Sequence, residues 1–391
     1  MDSKEAITSQ TNVALELTKQ LFLTEFKGKN MVFSPLSLHL ALSLIASGTK
    51  GPCLDEFLSF LKSRSTHHLN SLAHDIVYFV LANGSPSHPE IEERYGPGPR
   101  FPLPMAFDKS LPFKPYFKNV VDTAYMAALE EVDFKSNPKQ VTVEVNSWVE
   151  KETNGLIKNI LPPDAVNNLT KLIFANALYF SILERNFYLL DGSSVEGVPY
   201  MRGGDYQYIC AFEGFKVLKL PYRNLGVSPR SFFIYFCLPD ARDGLPALVE
   251  QVCSGSRFLK GCVPDEELYV GKMLVPKFKI SSGFEASKVL KASGLVLPFS
   301  FDPVNKGGNV SETVESPAGD DPYVSAMFHK SCIEIDEEGT EASAVTAQIS
   351  GWGAPPVEID FVADHPFMFF IREDSTGTVL FMGTVLNPLA G

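Results

Sequence analysis

The sequence predicts an α+β protein, and three observations predict it. Apolar residues fall at helical spacing through most of Thr11 to Glu152. Short alternating or apolar runs bounded by turn residues dominate Leu189 to Pro276. Between these regions Thr170–Phe180 is apolar almost throughout, the pattern of a strand buried on both faces. A chain of 391 residues has room for roughly two or three domains. No obvious linker divides it, so one domain over residues 1–391 is expected.

Each element has its own reason. Val13, Ala14, Leu17 and Leu21 make Thr11–Phe26 an amphipathic helix. Asn30–Phe33 is a short strand. Ser34 is an N-cap followed by Pro35 at the first helical position, and that helix runs through Leu38, Leu42 and Ile45 to near Gly48. Glu56–Lys62 and His67–Val80 are further helices. Pro86, Pro89, Pro97, Pro99, Pro102 and Pro104 exclude a central strand across 86–104, leaving Met105–Asp108 as the strand of that region. Phe113–Met126 and Val143–Glu152 are helices, the second holding Trp148 and closed by Asn154-Gly155.

Asn176 is the one strongly polar residue in the middle of Thr170–Phe180, and a buried amide needs partners. Strands follow at Gln207–Ala211, Phe215–Leu220, Phe232–Leu238 and Gly271–Phe278. Leu245–Leu259 and Glu285–Ala292 are helices. Gly307–Asp321 is an exposed polar loop. Tyr323–Lys330 begins a strand that continues through Cys332–Asp336, where Ile333 and Ile335 alternate with Cys332, Glu334 and Asp336 to give one buried face.

Composition narrows the function classes. A hydrophobic share of 45% supports a large packed core. A net charge of −12 argues against nucleic acid or an anionic membrane as partner. The six cysteines show no metal-type or CxxC spacing and are expected as reduced, mostly buried thiols. The N-terminus has no apolar signal core and no apolar run is long enough for a membrane span. A cytoplasmic protein is therefore expected, with extracellular release to the apoplast as the alternative. The seven histidines are scattered. His67-His68 lacks acidic or thiol neighbours and is expected to be solvated, and His365 is expected as a core hydrogen-bond donor. No P-loop, GxGxxG, HExxH or GxSxG motif is present, and no nucleophile–base set. No enzyme activity, cofactor or metal is expected.

The C-terminal stretch is the most informative. Glu337-Glu338-Gly339-Thr340-Glu341-Ala342-Ser343-Ala344-Val345-Thr346-Ala347 is small and polar and cannot anchor itself in a core. At period two, Thr340, Ala342, Ala344 and Thr346 share one face, so the segment is a latent strand. Gly339 supplies a bend at its base. Gln348–Glu358 is a Gly/Pro loop carrying Trp352. Phe361–Ile371 is densely aromatic around Asp364-His365-Pro366 and must be buried.

These segments resemble the serpin family. Glu337–Ala342 is similar to the serpin hinge and Phe361–Ile371 to the serpin C-terminal signature, with wording around both closest to plant serpins. The resemblance runs from about Thr11 to Pro388. It implies a large central mixed β-sheet with additional sheets, about eight to nine helices and an exposed reactive-centre loop at about 339–358. It implies a monomeric inhibitor of a serine or cysteine protease, acting as a suicide substrate whose cleaved loop inserts into the central sheet.

The hinge would be Glu337, Glu338, Gly339, Thr340, Glu341, Ala342, Ser343 and Ala344. Counting from the hinge puts the reactive bond at Gly353–Ala354. Counting back from Ile359 gives Ser350–Gly351, and a preference for the large aromatic gives Trp352–Gly353. By resemblance Ser34, Ser37, Asn176 and His329 form a polar shutter cluster that holds the sheet closed. The alternative is a non-inhibitory serpin-fold protein that binds a partner or has lost inhibition. It rests on the proline-rich window, the shortened segment 181–187, the absence there of the tryptophan typical of the family, and a loop, Gly339–Glu358, shorter than in typical inhibitory plant members.

Overall fold

The computed structural model describes residues 3–77, 105–108, 113–125, 129–133, 136–152, 161, 172–174, 185–203, 206–221, 232–300, 310, 312–313, 323–335 and 359–390. These residues fall into two compact units. One holds Met1–Gln20, Phe33–Leu178 and Gly283–Ser331; the other holds Leu21–Val32, Tyr179–Ser282 and Cys332–Gly391.

In chain order the first part gives α1 (Ser3–Leu23), β1 (Met31–Phe33), α2 (Pro35–Ser47), α3 (Gly51–Phe60), α4 (Thr66–Asp75), β2 (Met105–Asp108), α5 (Pro115–Val120), β3 (Leu129–Val132), α6 (Pro138–Glu152) and β4 (Leu172–Phe174). There follow β5 (Arg185–Tyr188), β6 (Ser194–Val198), β7 (Tyr200–Arg202), β8 (Tyr206–Phe212), β9 (Phe215–Pro221), β10 (Phe232–Pro239), α7 (Leu245–Val252), α8 (Ser256–Gly261), β11 (Glu267–Tyr269), β12 (Met273–Pro276) and β13 (Phe278–Glu285). The chain closes with α9 (Ala286–Ala292), β14 (Phe328–Ile335), β15 (Phe361–Val362), β16 (Phe367–Glu373) and β17 (Thr378–Val385).

The largest sheet has seven strands in the order β1-β17-β16-β10-β9-β8-β11. From β17 to β11 every pairing is antiparallel. Its centre is the aromatic run foreseen in the sequence: Phe367, Met368, Phe369 and Phe370 are all fully buried. Phe367 meets Phe187, Phe236 and Phe278 with ring centroids 6.5, 5.9 and 5.9 Å apart. Tyr235 stacks on Phe370 at 4.6 Å. Each such ring contributes about 1.5–3 kcal/mol through burial. Gly383 is needed where β17 passes this core, because a Cβ there would lie 2.4 Å from the Met31 carbonyl and 2.5 Å from the Phe369 ring.

In the other unit α2 is buried at all thirteen positions, the signature of a helix running through a core. In the same unit β2 pairs parallel with β3 and antiparallel with β4, making a mixed three-stranded sheet. β13 and β14 form a separate two-stranded ladder, and β15-β12-β7 and β5-β6 complete the set among the described residues.

Most predicted elements are present with shifted ends. α1 begins near Ser3 because Ala6, Ile7 and Gln10 extend its buried stripe toward the N-terminus. α6 begins at Pro138 instead of Val143. Three expectations are corrected. Leu245–Leu259 is two helices, broken after Val252 where Gly255 adopts φ 152°, a backbone geometry suited to glycine.

The described part of Gly307–Asp321 is not exposed. Val310 and Thr313 are buried, Glu312 binds Lys50 at 2.7 Å and Lys114 at 3.3 Å, and the Thr313 methyl occupies the space left by the missing side chain of Gly48. β14 does not have one wet face: Ser331 to Ile335 are all buried. Glu334 tolerates this because Lys279 meets it at 2.9 Å. The predicted helix and strand ends at Val80, Met126, Asn154-Gly155 and most of Thr170–Phe180 lie outside the described residues.

Candidate functional site

The described part of the expected site is a buried polar cluster in the unit that holds α2. Ser34 sits in extended conformation at the N-cap of α2, and its hydroxyl accepts from the Ser37 amide at 3.2 Å. The Ser34 backbone N–H donates to Nε2 of His329 at 3.0 Å. An N–H has no lone pair, so Nε2 must be the acceptor, and the imidazole is neutral with its proton on Nδ1. Ser331, two residues further along β14, brings its hydroxyl to 2.9 Å from the same nitrogen and donates to it.

Phe33 and Phe284 enclose the imidazole edge-on and tilted, at 6.3 and 5.4 Å. His329 is 4% exposed. Burial pulls its pKa down from 6.5 to about 3, which keeps it in the acceptor form across the physiological range. The cluster is therefore a neutral, water-poor latch. It joins the start of α2 to β14 (Phe328–Ile335).

Of the four predicted shutter residues, the structure brings Ser34, Ser37 and His329 together; Asn176 lies outside the described residues. So do the whole hinge, Glu337 to Ala344, and all positions weighed for the reactive bond, Ser350 to Ala354. Sequence reasoning did not place Ser331, Phe33 or Phe284 in this cluster. The available signal was their nearness along the chain: Phe33 precedes the cap serine, and Ser331 shares a strand face with His329 at period two.

Two further histidine expectations can be placed. His365 is 7% exposed; its Nε2 donates to the Pro239 carbonyl at 2.7 Å and its Nδ1 faces the Asp364 carboxylate at 2.8 Å, a core hydrogen-bonding role as expected. Burial alone would raise the Asp364 pKa, but His365 and Arg242 outweigh it and hold the carboxyl below its ordinary value. His67 lies exposed on the wall of a cleft of about 400 Å³ between α4 and α5, with Asn70, His74, Asp75 and Tyr116. His68 turns Nδ1 to the Ser63 hydroxyl at 3.1 Å. Among the described residues no group of three His, Cys, Asp or Glu could hold a metal ion, and no helix is long and apolar enough to cross a membrane.

Comparison with known proteins agrees with this architecture. The family model described as Serpin (serine protease inhibitor) matches residues 8–388. The chain is 44% identical to Serpin-ZX of Arabidopsis thaliana over 100% of both chains. It is 43% identical to Serpin-ZXA of Oryza sativa subsp. japonica, covering 99% of this chain and 98% of that one. Among solved structures it superposes on Arabidopsis AtSerpin1 in its native stressed conformation with a TM-score of 0.86 and 44% identity, over 100% of this chain and 99% of that one. Uncleaved ovalbumin shares the fold, with a TM-score of 0.74 and 23% identity over 97% and 99% of the two chains. With a family model spanning nearly its whole length and plant relatives matched end to end, the chain belongs to the serpin family of protease inhibitors.

Proposed function

We propose that this serpin inhibits a serine-type endopeptidase as a suicide substrate, with residues 339–358 as the bait. The protease hydroxyl attacks the carbonyl of the residue before the scissile bond, for which Gly353–Ala354 is the first choice, and forms an acyl-enzyme. Thr340, Ala342, Ala344 and Thr346 then enter the central sheet as an added strand. Their small uncharged side chains meet little steric or desolvation cost there. The acylated protease is carried along and trapped.

One observation carries the reading. The whole chain resembles a serpin described as native and stressed, the kind of state that strand insertion would relax. The neutral His329 latch on β14 is consistent with it, because a satisfied buried polar cluster holds one arrangement of the elements it joins. A cysteine protease is the second target class. The test is incubation with chymotrypsin-like, elastase-like and papain-like proteases, followed by denaturing electrophoresis. The proposal expects an SDS-stable complex with at least one of them and a peptide released C-terminal to the scissile bond. Clean cleavage by all of them without complex would favour the non-inhibitory alternative.

A further inference from the structure

The chain that follows residues 339–358 is tied down at one corner of the seven-stranded sheet. The Ile359 N–H donates to the Tyr269 carbonyl of β11 at 3.4 Å, and Nζ of Lys216 on β9 donates to the Asp360 carbonyl at 3.1 Å. The Phe361 N–H then donates to the Lys272 carbonyl at 2.8 Å, where β15 begins its pairing with β12. Among the described residues β11 is the outermost strand of the sheet, held through β8.

That corner carries an exposed aromatic pair. Tyr206 of β8 stands directly opposite Tyr269 of β11, so the two side chains share a face. Their rings meet edge to face with centroids 5.7 Å apart. Tyr206 is nevertheless 59% exposed. A ring this open gains little from the fold, yet Tyr269 braces it. The result is a rigid, amphipathic surface of the kind that dominates protein interfaces. Asp265, Glu266 and Glu267, which lead into Tyr269, are exposed as well, so the pair has an acidic border.

Reach decides what can sit there. Ala354 lies five residues before Ile359, and five extended residues span at most about 18 Å. A chymotrypsin-like domain of roughly 230 residues is about 45 Å across, so its half-width exceeds that tether. A protease closed on Gly353–Ala354 is wide enough to cover the corner. We propose, on the reading of residues 339–358 as bait, that Tyr206 and Tyr269 with their acidic border form a second docking surface for the target protease, one that receives a basic patch on the protease. The tyrosines supply the contact, and Asp265, Glu266 and Glu267 speed the encounter. None of the five enters the chemistry, because the acyl-enzyme partitions between trapping and hydrolysis after docking.

The test measures the second-order rate constant at which two basic proteases, pancreatic elastase and chymotrypsin, consume the intact chain. Complex and cleaved product are summed on denaturing gels, so the readout does not require inhibition. Tyr206→Ala should lower the rate roughly 3- to 10-fold. Asp265→Asn/Glu266→Gln/Glu267→Gln should lower it by a similar factor at about 25 mM salt and leave it unchanged at about 500 mM, flattening the salt dependence. In both variants the ratio of complex to cleaved product should match the wild type. If Tyr206→Ala does not fold, the charge variant decides. Rates equal to wild type in both variants would overturn the docking surface and leave the bait reading standing. A drop in one variant alone would overturn the part assigned to the other. Slower consumption that yields only cleaved product would support the docking surface and overturn inhibition. No consumption of the wild-type chain would overturn both.

Discussion

Lowering the pH should destabilise the fold through His329, and the size of the effect follows from its burial. The folded pKa of about 3 lies below the value of 6.5 in an exposed chain. Below pH 6.5 the unfolded chain therefore takes up a proton that the folded one refuses. The stabilisation is complete above pH 6.5 and is lost as pH falls toward 3. At pH 4.5 the loss is roughly two pH units at about 1.4 kcal/mol each, or about 3 kcal/mol. His39 is buried on α2 with its own pKa lowered to about 4 by burial, so it adds a similar term.

His329→Gln separates the two. A glutamine carbonyl can accept from the Ser34 amide but does not titrate. Urea unfolding followed by far-UV circular dichroism, for wild type and variant from pH 7.5 to 4.5, should show the wild type losing about 3 kcal/mol more than the variant across that range. The variant should be the less stable protein at pH 7.5. Parallel curves, offset by a constant at every pH, would refute the assignment of His329 as a neutral buried acceptor.

Three further outcomes follow. Ser34→Ala removes the hydroxyl that accepts from the Ser37 amide and should cost about 1 kcal/mol in urea unfolding. Gly383→Ala forces a methyl against the Met31 carbonyl and the Phe369 ring and should cost about 2–3 kcal/mol, read as a lower urea midpoint with an unchanged slope. Ala344→Glu places a charge on the inserting face. If the proposed mechanism holds, it should convert the protein from inhibitor to substrate, with cleavage retained and the SDS-stable complex lost.

The sequence made some elements legible and hid others for physical reasons. β10 was visible to within one residue because an apolar run between turn residues has few other conformations open to it. The start of α2 was visible because Ser34 and Pro35 each act locally. The break between α7 and α8 was hidden because the buried face continues across it: Leu245, Leu248, Val249, Val252, Ser256 and Leu259 keep helical spacing and are all buried. Only Gly255 marked the interruption.

β17 received no assignment for the opposite reason. Every one of its residues is buried, so there is no alternation to detect, and only its neighbours β16 and β1 explain it. The latch was half legible. The cap serines and His329 could be named by family resemblance. The contact of Phe284 with His329 depends on strand pairing, which single-sequence periodicity does not carry.

The central claim is that the loop, once cut, enters the sheet and relaxes the molecule. Thermal unfolding should be recorded before and after nicking between Ser350 and Ala354. A new strand forming roughly ten ladder hydrogen bonds, at about 1 kcal/mol each, in a chain whose unfolding entropy is about 0.8 kcal/mol/K, should raise Tm by about 10 °C or more. An unchanged or lower Tm in the nicked protein would contradict the account.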